Sequence, residues 1–169
     1  MPRASSLTRR PDWEQAADAA FVWLPTGDPV IEAEVLAVER LFVALSVAHP
    51  LAGRSSVSFA EIAGEPITAL PAAAGAARDF WLAAAAREGV PARVAAEVSS
   101  ADEVFEVVSS GAAITLLAEG NAVIYGRPGI VCVPVGDLAP ARLAIAWRRG
   151  DRRPAIRDFV RACREAAGT

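Results

Sequence analysis

The chain has 169 residues, of which 53% are hydrophobic and 22% charged, with a net charge of −3. That is enough apolar material for one compact domain or two small lobes, and too little charge for a disordered chain. The acidic balance speaks against a free-standing nucleic-acid binder, and no apolar run is long enough to cross a bilayer.

All 17 basic residues are arginines, which excludes a Schiff-base lysine and a phosphate-loop lysine. His49 is the only histidine, and Cys132 and Cys163 are the only thiols, with no C-x-x-C pair. No metal site of the usual zinc type and no cofactor are therefore expected. Both cysteines lie in apolar contexts and read as free, buried thiols of a reducing cytoplasm. Met1–Arg10 is polar and basic without a secretory core, so no signal peptide is expected.

Along the chain, residues 1–17 read as a leader and a short helical remnant in which Trp13, Ala16 and Ala17 share a side. Asp18-Ala-Ala-Phe-Val-Trp-Leu-Pro25 reads as a buried strand, stopped by Pro25 and the Thr26–Pro29 turn. Val35 to Val47 reads as a second strand, centred on Leu41–Leu45 and broken at His49-Pro50. Ser58-Phe-Ala-Glu61 is a capping box opening a short helix that closes at Gly64. A strand over Pro66–Leu70 leads through the Pro71–Gly75 loop into a helix expected to run to about Glu88 and stop at Gly89. Phe80, Trp81 and Ala84 would share one face of it.

Arg93–Val98 is the next strand. Ser100-Ala-Asp-Glu103 is a second capping box, opening a helix over 101–110 that ends at Gly111. A strand at Ala113–Leu117, a helical turn at Asn121–Tyr125, and strands at Ile130–Val135 and Arg142–Arg148 follow. The last helix starts near Pro154 and carries Ile156, Phe159, Val160 and Cys163 as an apolar stripe.

The alternation over residues 66–117 predicts parallel strands with helical crossovers. The strands before residue 50 and after residue 140 flank this unit, so the chain leaves one lobe, builds a second and returns. Such an arrangement leaves a cleft, and ligands favour clefts at the carboxyl ends of strands.

Six stretches, in order, resemble the effector-binding domain of LysR-type regulators. They are Asp18–Pro25, Leu41–Ala52 with its His-Pro-Leu turn, Phe59–Pro66, Ser109–Ala118, Leu143–Arg149 and Pro154–Phe159. The resemblance implies an α/β, periplasmic-binding-protein-like two-lobed fold, with a truncated first lobe (18–50 and 140–169) and a complete parallel-sheet second lobe (51–139, with the crossover strands). It also implies that the helix-turn-helix domain and the start of the first sensor lobe lie outside this chain. Ala118 stands where the family usually has proline.

If the resemblance holds, the effector cleft draws on Trp23, the loop residues Pro71, Ala72 and Ala73, Ser99, Ser100 and Thr115. The loop leads to a helix N-terminus with free N–H groups, the hydroxyls orient a ligand, and Trp23 offers a stacking face. Plainer roles stand beside these. Ser100 also reads as a helix cap, Thr115 as a strand-edge group and Trp23 as core. Many family members carry arginine where Trp23 stands, which argues against a carboxylate clamp there. His49 has no Ser/Asp constellation and reads as a turn residue, so no enzyme is expected. The cluster Arg148–Arg153 reads as a solvated turn.

The expected function is a cytoplasmic ligand-sensing domain that binds an aromatic or carboxylic effector between lobes and forms a homodimer. DNA contact would come only from a separate helix-turn-helix domain. The alternative is an effector-free dimerisation module using the open edge of strand 19–24.

Overall fold

The structure is a computed structural model and describes residues 17–168. The expected leader and helix remnant lies, but for Ala17, outside the described residues. In chain order the strands are β1 (Ala19–Leu24), β2 (Ile31–Glu39), β3 (Leu41–Ser46), β4 (Ile67–Ala69), β5 (Val94–Glu97), β6 (Thr115–Ala118), β7 (Ile130–Pro134) and β8 (Ala141–Arg148). The helices are α1 (Phe59–Ile62), α2 (Ala76–Trp81), α3 (Ala101–Ser109), α4 (Glu119–Tyr125) and α5 (Pro154–Ala167).

β1, β8 and β2 form an antiparallel sheet in that order. Its period-two alternation puts Phe21 opposite Ile145 and Trp23 opposite Leu143. α5 begins with Pro154 in its first turn and packs Ile156 and Val160 against Ile145, with Cys163 beside them. Phe159, the fourth member of the expected stripe, stays 44% exposed at its margin and meets the Phe21 ring edge-on at 6.4 Å.

The second sheet is mixed. β3 lies antiparallel between β6 and β7, while β4 and β5 are parallel. A parallel bridge between Ile67 and Ile114 joins the two parts, with Thr68 N–H donating to Ile114 O at 2.9 Å. The parallel character expected over 66–117 is thus carried by β4, β5 and the entry to β6. β6 itself then pairs antiparallel with β3.

Between this sheet and α1 lies the main core, where Val43, Leu45, Ile62, Ile67 and Val133 are all but fully buried. Leu45→Ala should cost ~2–5 kcal/mol, read as a lower urea midpoint with an unchanged slope. The capping box at Ser58 forms, its N–H donating to Glu61 Oε2 at 2.8 Å.

Two expected elements differ. Val35–Val47 is not one strand but parts of two, in different sheets. β2 carries Glu32, Glu34 and Glu39, whereas β3 is charge-free and almost wholly buried. The chain steps between sheets at Arg40, whose carbonyl accepts the Glu119 N–H at 3.0 Å.

The helix expected to reach Glu88 also stops early. α2 has six residues, Ala83 turns left-handed (φ 52°), and Ala84–Arg87 is a separate 3-10 turn. A continuous α-helix would give the Leu82 carbonyl to the Ala86 N–H. Instead Ala86 N–H bonds Ala83 O, and buried Arg87 donates Nε–H to Leu82 O at 2.7 Å. Ala84 is therefore exposed and shares no face with Phe80 and Trp81.

The crossover at Arg40 is tied by its guanidinium, which donates to both carboxylate oxygens of Glu119. That hydrogen bond holds the Glu119 carboxyl below its ordinary value of 4.5, and Arg164 does the same for Glu34. A depressed carboxylate stabilises the fold above its unfolded pKa, and the contribution disappears as pH falls through the folded value. The melting temperature should therefore hold between about pH 7 and 5 and decline below about 4.5. Glu119→Gln should lower the neutral plateau slightly and make the acid limb shallower by the same small amount, because the pair is exposed.

Candidate functional site

A cleft of about 200 Å³ opens where β1 faces the second sheet. Among the described residues, Trp23, from β1, is its one lining residue from the first sheet. The rest of the wall belongs to the second sheet and its helices: Thr68 and Ala69 of β4, Trp81 of α2, Val104, Phe105 and Val108 of α3, Thr115 of β6 and Asn121 of α4, among others. The Trp23 and Trp81 rings meet edge-to-face at 6.0 Å and 86°. Phe80 packs on Trp81 from behind at 5.1 Å, so the corner is rigid and aromatic.

The polar content is small and neutral. Thr68 is 4% exposed, and its Oγ1 lies 2.8 Å from Thr115 Oγ1. Two bonded hydroxyls use one hydrogen between them and leave the other to be given elsewhere. Asn121 adds an amide, which makes no side-chain hydrogen bond to another described residue.

Of the sequence-derived site residues, the structure brings Trp23 and Thr115 to this cleft. Pro71, Ala72, Ala73, Ser99 and Ser100 do not line it. Ala72–Ala74 forms a 3-10 turn whose following N–H groups, those of Ala74 and Gly75, bond Pro71 O and Ala72 O. Ser100 Oγ caps α3 by accepting the Glu103 N–H at 3.3 Å, and Ser99 N–H donates to Glu103 Oε2 at 2.7 Å. That helix end therefore already holds a carboxylate of its own.

Thr68, Trp81, Phe105 and Asn121 were not singled out from the sequence. A threonine inside an otherwise apolar strand, repeated in Thr68 and Thr115, was the available signal. His49 sits in a turn, its Nδ1 accepting the Leu51 N–H at 3.2 Å. Within the arginine cluster, Arg149 donates to Pro29 O and Ile31 O, and Arg153 pairs with Asp151 and Asp18. Burial pushes the Cys132 thiol up, so it stays protonated at neutral pH.

Residues 13–168 match the LysR substrate binding domain. The chain belongs to this family. A LysR substrate binding domain thus accounts for nearly all of it. Its sequence is 28% identical over 147 residues to the HTH-type transcriptional regulator ShiR of Corynebacterium glutamicum (strain R), covering 86% of this chain and 49% of ShiR. The LysR domain spans about half the length of the curated relatives it matches.

Among solved structures, HinK, a LysR family transcriptional regulator from Pseudomonas aeruginosa, superposes with a TM-score of 0.69 at 25% identity. That match covers 90% of this chain and 54% of HinK. The BenM effector binding domain with its effector benzoate gives a TM-score of 0.69 at 23% identity, covering 92% of this chain and 71% of that one. The fold is accordingly the α/β, periplasmic-binding-protein-like fold of LysR effector domains. Ala118, at the family's proline position, has φ −78°, which lies within proline's own range. No described helix is long and apolar enough to cross a membrane.

Proposed function

We propose that this chain is the ligand-sensing part of a LysR-type transcription regulator, acting in the cytoplasm. The two sheets act as lobes, and the division is drawn at Arg40 rather than at residue 50, because β3 lies between β6 and β7 in the second sheet. A small molecule binds between Trp23 and the wall built by Thr68, Trp81, Phe105 and Thr115. It thereby favours one arrangement of the lobes and biases a DNA-binding domain outside these residues.

The observation that carries this reading is the composition of the cleft wall. A single aromatic residue from one sheet faces a mostly apolar surface from the other, so an occupant contacts both and has a differential affinity for their arrangements. A thermal-shift screen of small aromatic compounds and carboxylic acids tests it. A ligand at about 100 times its Kd should add ~2.7 kcal/mol to the native state. A flat response across the screen would contradict the sensor reading.

One observation favours the alternative of an interaction module. Among the described residues β1 pairs only with β8, and Phe21 is 58% exposed beside Phe159. An uncharged edge strand with an exposed aromatic is a template for a second copy. Light scattering should then show a homodimer that Phe21→Glu converts to monomer. A monomer at all concentrations would remove this reading.

A further inference from the structure

We propose that the cleft takes an uncharged, flat aromatic ligand carrying one hydrogen-bonding oxygen, and rejects the corresponding carboxylate. This rests on the effector reading and narrows it to a ligand class. The first ground is size and surface. About 200 Å³ in an open cleft lined by Trp23, Trp81, Val104, Phe105 and Val108, among others, has room for a substituted ring, since an apolar cavity of about 150 Å³ holds benzene. The Trp23–Trp81 corner offers an edge and a face at 86°, which a flat ring matches by offset or edge-on contact.

The second ground is the hydroxyl pair. Thr68 is almost completely buried, and its Oγ1 and that of Thr115 share one hydrogen. Thr68 donates within the pair, so the second hydroxyl hydrogen is that of Thr115, a half-buried residue at a mostly apolar wall. An oxygen on the ligand supplies the missing acceptor, and the Asn121 amide stands at the same wall as a second neutral group.

The third ground is charge. No arginine or histidine lines the cleft among the described residues. The nearby cations are already engaged. Arg78 donates to Leu70 O and to Glu97 Oε1 at 2.6 Å, while Arg127 lies over the Phe105 ring at 4.1 Å and 3.5 Å from Asp102. The first turn of α3, whose Ala101 lines the wall, carries Asp102 and Glu103. A carboxylate entering here would lose its water and gain no counter-charge.

The test is calorimetric titration of the full chain with benzamide, benzoate and toluene at pH 7. Benzamide should bind on the order of 100-fold more tightly than benzoate. Thr115→Val should weaken benzamide by about 3- to 10-fold and leave toluene unchanged, and Thr115→Ser should restore benzamide. Benzoate binding as tightly as benzamide, or benzamide indifferent to Thr115→Val, would overturn the ligand class while leaving an effector cleft in place. Binding by none of the three would count against the effector reading and take this proposal with it.

Discussion

Arg87→Met is expected to lower the stability of the fold by about 3 kcal/mol or more. Arg87 is 7% exposed and has no carboxylate partner among the described residues. Its burial pushes the guanidinium pKa down, but a group that begins so high keeps its charge. What holds it is carbonyl oxygen. Nε–H donates to Leu82 O at 2.7 Å and Nη1–H to Ala63 O at 2.8 Å, with the Phe59 ring 5.2 Å away.

Methionine keeps much of the stem's volume but leaves both carbonyls without their donor, at ~1–3 kcal/mol each. It also removes the side-chain donor that ties the Ala84–Arg87 turn to Leu82 O. Urea unfolding should therefore show the loss, and the Trp23–Trp81 corner should loosen with it. A cost under about 1 kcal/mol would mean that the 3-10 turn is held by something else.

Trp23→Arg should invert the ligand preference of the cleft. Among the described residues Trp23 alone lines the cleft from the first sheet, and a guanidinium there would face a wall whose other polar groups are neutral. An incoming carboxylate would gain a bidentate, charge-assisted partner, so benzoate affinity should rise by roughly 10- to 100-fold. Benzamide should weaken as the stacking face is lost. Trp23→Phe is the control: it keeps an aromatic face and should keep the preference for benzamide. If Trp23→Arg leaves both affinities unchanged, Trp23 does not touch the ligand and the cleft is not the binding site.

Much of this architecture was legible because it is local. The box at Ser58, the Ser100 cap, the Pro154 helix start and the Gly111 stop each depend on a few neighbouring residues. The Ile156–Cys163 stripe needs only helical periodicity. What escaped the sequence is nonlocal. Glu39-Arg40 is the one charged interruption between Val35 and Val47, but both halves are otherwise apolar and strand-forming, and a charged pair alone does not show that the chain changes sheet. The step is fixed by Glu119, 79 residues away. The alanine-rich run after Trp81 favours helix by propensity, yet a buried arginine further along redirects its carbonyls.

The cleft divides in the same way. Trp23 and Thr115 could be named from strand ends. Thr68 could not be paired with Thr115 until the parallel bridge at Ile67–Ile114 set them side by side. The Pro71–Ala73 loop leads to a helix N-terminus as expected, but the Ala74 and Gly75 N–H groups there bond Pro71 O and Ala72 O, a local pairing that residue types do not reveal.

An NMR titration of the chain with benzamide bears most directly on whether one ligand engages both sheets. The indole N–H of Trp23, on β1, and the amide of Thr115, on β6, should shift together along a single isotherm. Movement of the Thr115 signal with Trp23 still, or of neither at saturating ligand, would contradict a two-sided sensing cleft.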